Sequence, residues 1–580
     1  MLIKFNVLKT RVIFIHENVS EYKTLMSFPA FLKEGPHHYL PAKIAVVYNV
    51  VTRLQSAVKK IQIDKDVHDF MNQELKLKPL PEFFKYHTSP MPYQDIALRF
   101  IYTCESGGLL LDPGMGKSKV VLDYIHLMGF KKSIIVCPLP LLFVWEDEVA
   151  SHRPELSIHL VETTDWDKEW EKGKDKHIFC LNYSKAVIFE QQLAKQGFEF
   201  IHLDEFLIKD PTTSRTQSIT KLSKSIPYRC GGSGTLVNNS VFDVFAPIRF
   251  LEPSLVGWNY TNFQNRHAVR VAKNPKMIVG YRKKEEARSI LESCSIVMTK
   301  DEWLKLPDKK FHDIYVQPSE KQRDFYQCLQ RNYIAEMQGE TVEIDNTLVM
   351  LSKLYQVAQG FVYVSDKKEE EEESLDLLAE DTKKKRKKSS RRTLIFDEQP
   401  KVAAMVNLIK NTLKEKRSII WFNCSAEFEL ISKALEDNGW TYRTIKGGTK
   451  NLGSIVREYN NDPSIQFLVC QARSVNYGIT ILGTSVEKME DMNMEVMPGI
   501  SPGVHTQIFY SCNFSLEVFL QQQDRIHRIG QKHQCDYYRL WLNCTVEHII
   551  KDALTDKMCI RKEMLVDIAE KLKQLDNNLV

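Results

Sequence analysis

The sequence predicts an α/β protein of two parallel-sheet lobes with a small mixed unit ahead of them. Three observations predict it. From about residue 90 to 250, short apolar runs ("GGLLL", "SIIVC", "HIFCL", "FIHLD") alternate with amphipathic helical stretches, the pattern of buried parallel strands covered by helices. The same alternation restarts at "RSIIWF" and continues through "TYRTIKG", "IQFLVC", "TQIFYS" and "DYYRLWL". Between the two sets, roughly 256 to 360, lies a charged stretch whose apolar spacing suits helices, including "SEKQRDFYQCLQRNYIAEM". At 580 residues the chain exceeds one ordinary core, and typical domain size implies about three to four domains.

In chain order, residues 1–85 open with two β-like runs, "IKFNVL" and "RVIFIH", followed by two expected helices, one opened by Pro41 and one after Asp64. This segment is assigned as an accessory domain, 86–310 as the first lobe and 311–580 as the second. Within the second, residues 365–392 hold a glutamate run from Glu369 to Glu373 and a basic run from Lys383 to Lys388. Such blocks cannot bury enough surface to order themselves, so a disordered surface insert is expected, with a nucleic-acid arm or nuclear-import signal as the alternative. A single amphipathic brace is expected over roughly 546–575.

Composition narrows the class. Lys and Arg exceed Asp and Glu by 79 to 74, a net charge of +5 that permits a polyanionic partner without requiring one. The twelve cysteines, among them Cys137, Cys180, Cys230 and Cys470, form no C-x-x-C pair, which reads as reduced thiols in an intracellular protein and argues against zinc. Cytoplasm is expected, or nucleus for a eukaryotic source. The N-terminus lacks the apolar core of a signal peptide, and the longest uncharged run, Ser133 to Trp145, is too short to span a bilayer.

"GGLLLDPGMGKSKVVLDYIHLM" sets a buried strand, a glycine turn and an amphipathic helix in succession. Pro113, Gly114, Met115, Gly116, Lys117, Ser118 and Lys119 make up a phosphate cradle: the glycines let backbone N–H groups approach, Lys117 meets the β and γ phosphates, and Ser118 ligates magnesium. Leu111 stands where the G-x-x-x-x-G-K-[ST] pattern opens on glycine. Downstream, "FEFIHLDEF" closes an apolar strand on Asp204, placed to hold the metal through water, with Glu205 beside it to polarise the attacking water. Gln94 in "MPYQDIALRF" has an amide suited to an adenine edge, a surface glutamine being the other reading. In "QQQDRIHRIGQK", Gln521, Arg525 and Arg528 at i, i+4 and i+7 are expected on one helix face, ended by Gly530. Two forked guanidiniums in a row suit a phosphate; a solvated helix face is the alternative.

In this order the blocks resemble the Snf-type branch of superfamily-two ATPases, double-stranded DNA translocases, over roughly residues 90–550. "PYQ" resembles the family's adenine motif, "DPGMGKS" its motif I, and "IIVCPLPLLFVWEDEV" the next block, with Pro138, Leu142, Trp145 and Glu148 matching. "DEFLIKDPTTSRT" resembles the D-E-A-H block, "GSGTLVNNS" the T-G-T-P-L-Q-N-N block, "QARSVNYGITI" motif V with Ser474 and Gly478, and "QQQDRIHRIGQ" motif VI. Departures are Phe206 and Leu207 for Ala and His, Leu236 for proline, Tyr477 for a small residue, and an added stretch after motif V, "TSVEKMEDMNMEVMPGISPGVH".

The resemblance implies two RecA-type parallel-sheet lobes with helical protrusions and a small N-terminal accessory domain. ATP and Mg2+ are the implied cofactors, with Arg525 and Arg528 reaching the γ-phosphate, Gln521 positioning nucleotide or water, and Gly478 at the nucleotide. Nucleic-acid contacts are implied at Asn182, Tyr183, Thr213, Arg215, Thr235, Lys446, Gly447 and Ser474, through sugar and phosphate rather than bases. Local turn bonding is the alternative at each. The implied function is an ATP-dependent translocase on double-stranded DNA that remodels protein–DNA complexes or branched DNA, acting as a monomer with no membrane partner. A strand-separating DNA or RNA helicase and a catalytically inactive nucleic-acid-binding scaffold are the alternatives.

Overall fold

The computed structural model describes residues 2–5, 11–15, 32–34, 37–41, 61–67, 77–234, 241–256, 259–271, 274–332, 334–337, 340–343, 347–364, 392–414, 416–449, 451–475, 479, 481–483 and 501–555. The chain divides into two compact units, Met1–Leu304 and Lys305–Val580.

At the start of the first unit, β1 (Leu2–Phe5), β2 (Arg11–Ile15), β3 (Leu32–Glu34), β4 (His37–Pro41) and β5 (Gln62–Ile63) form a sheet in the order β3-β4-β2-β1-β5. Both expected strands are there, antiparallel to each other. The helix expected from Pro41 lies outside the described residues, while a helix does begin after Asp64, at Lys65.

The main sheet of this unit comprises β6 (Gly107–Leu111), β7 (Ser133–Cys137), β8 (Ile158–Leu160), β9 (Ile178–Asn182), β10 (Phe200–Asp204), β11 (Tyr228–Gly232) and β14 (Ser295–Met298). Every pairing is parallel, in the order β14-β6-β11-β10-β7-β9-β8. Strands β6, β7 and β10 are buried along their whole length, which is why they read as unbroken apolar runs. The order sets β6 and β10 on either side of β11, with Asp204 level with Gly232 and Gly232 level with Leu109. The strand ends that carry the phosphate turn and the acidic pair are thereby separated by a single strand. A hairpin that periodicity did not suggest, β12 (Ala268–Val271) with β13 (Asn274–Tyr281), lies between the helices Tyr260–His267 and Lys284–Glu292.

The second unit repeats the design. β15 (Lys309–Val316), β20 (Lys416–Phe422), β21 (Tyr442–Ile445), β22 (Phe467–Gln471), β23 (Ser501–Phe509) and β24 (Cys535–Leu542) form a parallel sheet in the order β15-β24-β23-β20-β22-β21. The stretch expected to be helical from Ser319 onward is helical only over Glu320–Asn332. Its tail becomes β16 (Ile334–Met337), paired with β17 (Glu340–Glu343) so that Met337 faces Glu340. β18 (Phe361–Val364) and β19 (Arg392–Ile395) form a further antiparallel pair. The charged insert lies outside the described residues apart from Arg392, and of the C-terminal brace only the helix Glu547–Thr555 is described.

That helix is fastened by charge inside the core. Lys401 meets Glu547 at 2.9 Å with both side chains almost wholly buried, and Gln359 bonds to both. Glu427, also fully buried, accepts from Ser511 Oγ at 2.6 Å and from the Asn423 backbone N–H at 2.9 Å. Burial pushes its carboxyl up to about 7, against the opposing pull of those two donors and of Lys401. A carboxyl raised in the folded state contributes stability that is fully present below its unfolded value and is lost as pH rises through the folded one. Between pH 5 and pH 8 the native protein should therefore lose about 2–3 kcal/mol of unfolding free energy from this group. Urea melts of wild type and Glu427→Gln at the two pH values check it: the variant should lack this component of the slope, and equal slopes would count against it.

Candidate active site

The phosphate turn is built by strain that only glycine tolerates. β6 ends at Leu111, the helix Lys117–Met128 starts six residues later, and between them Gly114 and Gly116 take φ of 84° and 74°. A Cβ on Gly116 would lie 2.4 Å from Gln94 Nε2. Gly116 caps the helix without any side-chain hydrogen bond, so no side chain of the cap covers the first-turn amides. Lys117, half-buried, donates from Nζ to the Leu111 carbonyl at 2.8 Å, and its stem runs beside Gly232, where a Cβ would be 3.1 Å from Lys117 Cδ. Ser118 follows it at the half-buried helix start, and Pro113 packs against Gly234.

Two members of the expected nucleotide set have other work. Gln94 donates from Nε2 to the Met115 carbonyl at 3.1 Å and accepts the Met91 backbone N–H on Oε1 at 2.9 Å, while the Tyr93 hydroxyl donates to the same Met115 carbonyl at 2.9 Å. Each end of the amide makes one bond, so Gln94 braces the phosphate turn while one N–H and one lone pair are left over. Lys119 is buried in an ion pair with Asp123 at 2.7 Å, and Asp123 also holds Arg153 at 2.6 Å. A buried ammonium needs such a partner, which removes Lys119 from the phosphate set.

At the end of β10, Asp204 is almost wholly buried and accepts from the Trp145 indole N–H on Oδ2 at 2.9 Å. Burial raises its carboxyl above the usual range, opposed by the Lys117 charge and the indole bond. Glu205 turns the chain at φ 65°, an unfavourable conformation for a side-chain-bearing residue, and its carbonyl accepts the Tyr183 hydroxyl at 2.5 Å. Phe206, the first departure from D-E-A-H, is accommodated by a second residue: a Cβ on Gly231 would fall 2.1 Å from its ring, so the glycine in β11 makes the space the phenyl fills.

In the second unit the helix expected through Arg528 stops early. It spans Leu516–Gln523, and residues 524–530 form turns ending on Gly530 at φ 97°. Gln521 is buried on the helix with Nε2 donating to Glu517 at 3.3 Å. Arg525 is 1% exposed and donates from Nε to the Gln521 carbonyl at 2.7 Å and from Nη1 to the Ile479 carbonyl at 3.2 Å. Those bonds draw the chain out of helical continuation, because a buried guanidinium must find acceptors where the backbone offers them. Arg525 therefore holds the turn, on which Arg528 is half-buried. Gly478 lies outside the described residues.

Of the expected nucleic-acid contacts, several are occupied locally. Asn182 caps the helix Tyr183–Ile188 by accepting from Lys185 N, and Tyr183 is buried with Arg215 over its ring at 5.7 Å. Thr213 caps the helix Ser214–Ser223 and is exposed. Thr235 lies outside the described residues. In the second unit, Lys446 and Gly447 are exposed on the turn after β21, and one residue gathers this edge: Gln471 accepts from Gly447 N at 2.8 Å and Ser474 Oγ at 3.3 Å and donates to the Asn423 carbonyl at 3.1 Å. Sequence reading assigned nothing to Gln471 or to Trp145. The available signal was a polar residue closing a fully apolar strand in one case and, in the other, a large side chain in a matched block with no role.

Residues 93–360 match the family model of the SNF2-related domain. An uncharacterized ATP-dependent helicase of Mycoplasma genitalium is 21% identical over 501 residues, covering 84% of this chain and 43% of that protein. The TATA-binding protein-associated factor mot1 of Schizosaccharomyces pombe is 24% identical, covering 70% of this chain and 22% of that protein, and human DNA excision repair protein ERCC-6 is 21% identical, covering 89% and 35%. The chain thus spans less than half the length of these relatives. Among solved structures, the Sulfolobus solfataricus SWI2/SNF2 ATPase core in complex with dsDNA is 20% identical, covering 87% of this chain and 97% of that one, at a TM-score of 0.37. No helix among the described residues is long and apolar enough to cross a membrane.

Proposed function

From the match of residues 93–360 to the SNF2-related domain, we propose that the chain is a DNA-dependent ATPase, a magnesium-requiring translocase on double-stranded DNA that remodels protein–DNA complexes or branched DNA. The observation that carries the reading is the convergence of the glycine turn, Lys117 and the Asp204–Glu205 pair at the ends of two strands of one parallel sheet that flank β11.

The residues present fit a magnesium nucleotide. First-turn amides and Lys117 bind the phosphates, Ser118 and Asp204 hold the metal, and Glu205, set at the strand end by its left-handed turn, orients the attacking water. When bound, the metal neutralises charge on the phosphoryl oxygens. Arg528 stabilises charge that develops in transfer, and Arg525 and Gln521 hold the turn from which it projects. Exposed positions at Thr213, Lys446 and Gly447 suit contacts to sugar and phosphate, with the backbone amides giving register without sequence reading.

ATP turnover should be compared with duplex DNA, single-stranded DNA, branched DNA, RNA and no nucleic acid. Duplex or branched DNA is expected to stimulate most. Greater stimulation by single strands or RNA would favour strand separation, and no turnover under any condition would leave a binding scaffold.

A further inference from the structure

We infer that Trp145 is a positioning residue for the metal carboxylate: its indole N–H fixes one oxygen of Asp204, so that the other is the one offered to magnesium. The inference rests on the ATPase reading above and assigns a role to a side chain that reading leaves out.

Trp145 sits on the helix Leu142–His152, which follows β7, and β7 lies beside β10 with Val136 level with Leu203. The indole is 1% exposed and donates to Asp204 Oδ2 at 2.9 Å. It is held in plane from the strand side by His202, two residues before Asp204 and therefore on the same face of β10, whose ring meets it edge-on at 5.6 Å. The other oxygen of Asp204 accepts no hydrogen bond among the described residues.

The donor chemistry suits the task. An indole N–H donates and cannot accept, so the bond has one polarity and persists only while the partner is an acceptor. It carries no charge, so it orders the carboxylate without neutralising it, as an ammonium at the same place would. A large core side chain needs only bulk, which phenylalanine also supplies. The N–H is the part that packing does not explain.

Trp145→Phe keeps a ring in the core and removes the donor. Hydrogen bonds to charged groups are strong enough that the magnesium concentration giving half-maximal binding of a fluorescent non-hydrolysable ATP analogue should rise on the order of tenfold. Analogue binding in excess chelator should stay unchanged, and turnover should recover toward wild type at saturating magnesium. A lower melting temperature with an unaltered magnesium requirement would make Trp145 a packing residue only and overturn the inference. If wild type itself binds no magnesium nucleotide, the ATPase reading is what fails. Should the phenylalanine variant not fold, indole N–H resonances of the wild type decide: adding magnesium to the nucleotide-bound protein should shift one buried signal, and no shift overturns the assignment.

Discussion

Lys117→Ala is expected to lower ATP turnover on the order of a thousandfold while duplex-DNA binding stays largely in place. The side chain sits where its loss is confined. Its ammonium rests on the Leu111 carbonyl, its stem passes Gly232, and it heads a helix whose interior is anchored separately by the Lys119–Asp123–Arg153 cluster. Alanine is the best helix former, so the helix start is not weakened by the substitution. What disappears is the one cation at the turn that can meet the β and γ phosphates, in a site where burial makes each charge count more than in water. Steady-state turnover, duplex binding and thermal melting on the same preparation check this. Unchanged turnover would remove the phosphate-turn assignment, and a collapse in melting temperature would mean that the lysine is structural.

Arg528→Ala lowers turnover by about a thousandfold or more, the range an arginine finger supplies, with a far smaller change in nucleotide affinity. The neighbouring arginine provides the contrast. Arg525 is buried and spends its guanidinium on the Gln521 and Ile479 carbonyls, so Arg525→Ala leaves buried acceptors unpaired and should destabilise the second unit. Two arginines three residues apart in "DRIHR" are thus expected to fail differently, one in chemistry and one in melting temperature. Equal losses in nucleotide binding and turnover for Arg528→Ala would argue against the finger role.

Strands β6, β7, β9, β10, β20, β22 and β24 were legible because burial along nearly their whole length leaves a local mark, an apolar run of about strand length, whereas β8, β11, β14 and β15 were not read as strands, β14 and β15 falling in the stretch expected to be helical. The phosphate turn was legible for a similar reason: Gly114 and Gly116 adopt backbone conformations that other residues resist, so their identity reports their geometry. The two hairpins at β12–β13 and β16–β17 were not, since short antiparallel pairs are stabilised by cross-strand neighbours rather than by period. The early end of the Leu516–Gln523 helix was hidden too, because helical spacing continued through residues whose side chains the core had claimed.

On its own the sequence determined which segments become the most deeply buried strands, where the chain must turn on glycine, and which residue types stand at those turns. Only the tertiary structure decided what each polar side chain is for. Gln94 reaches a carbonyl 21 positions away, Arg525 one 46 away, and Trp145 a carboxylate 59 away. The physical reason is that a buried donor must be satisfied by whatever acceptor the packed fold brings within about 3 Å, and that acceptor leaves no trace in the donor's own neighbourhood of the chain.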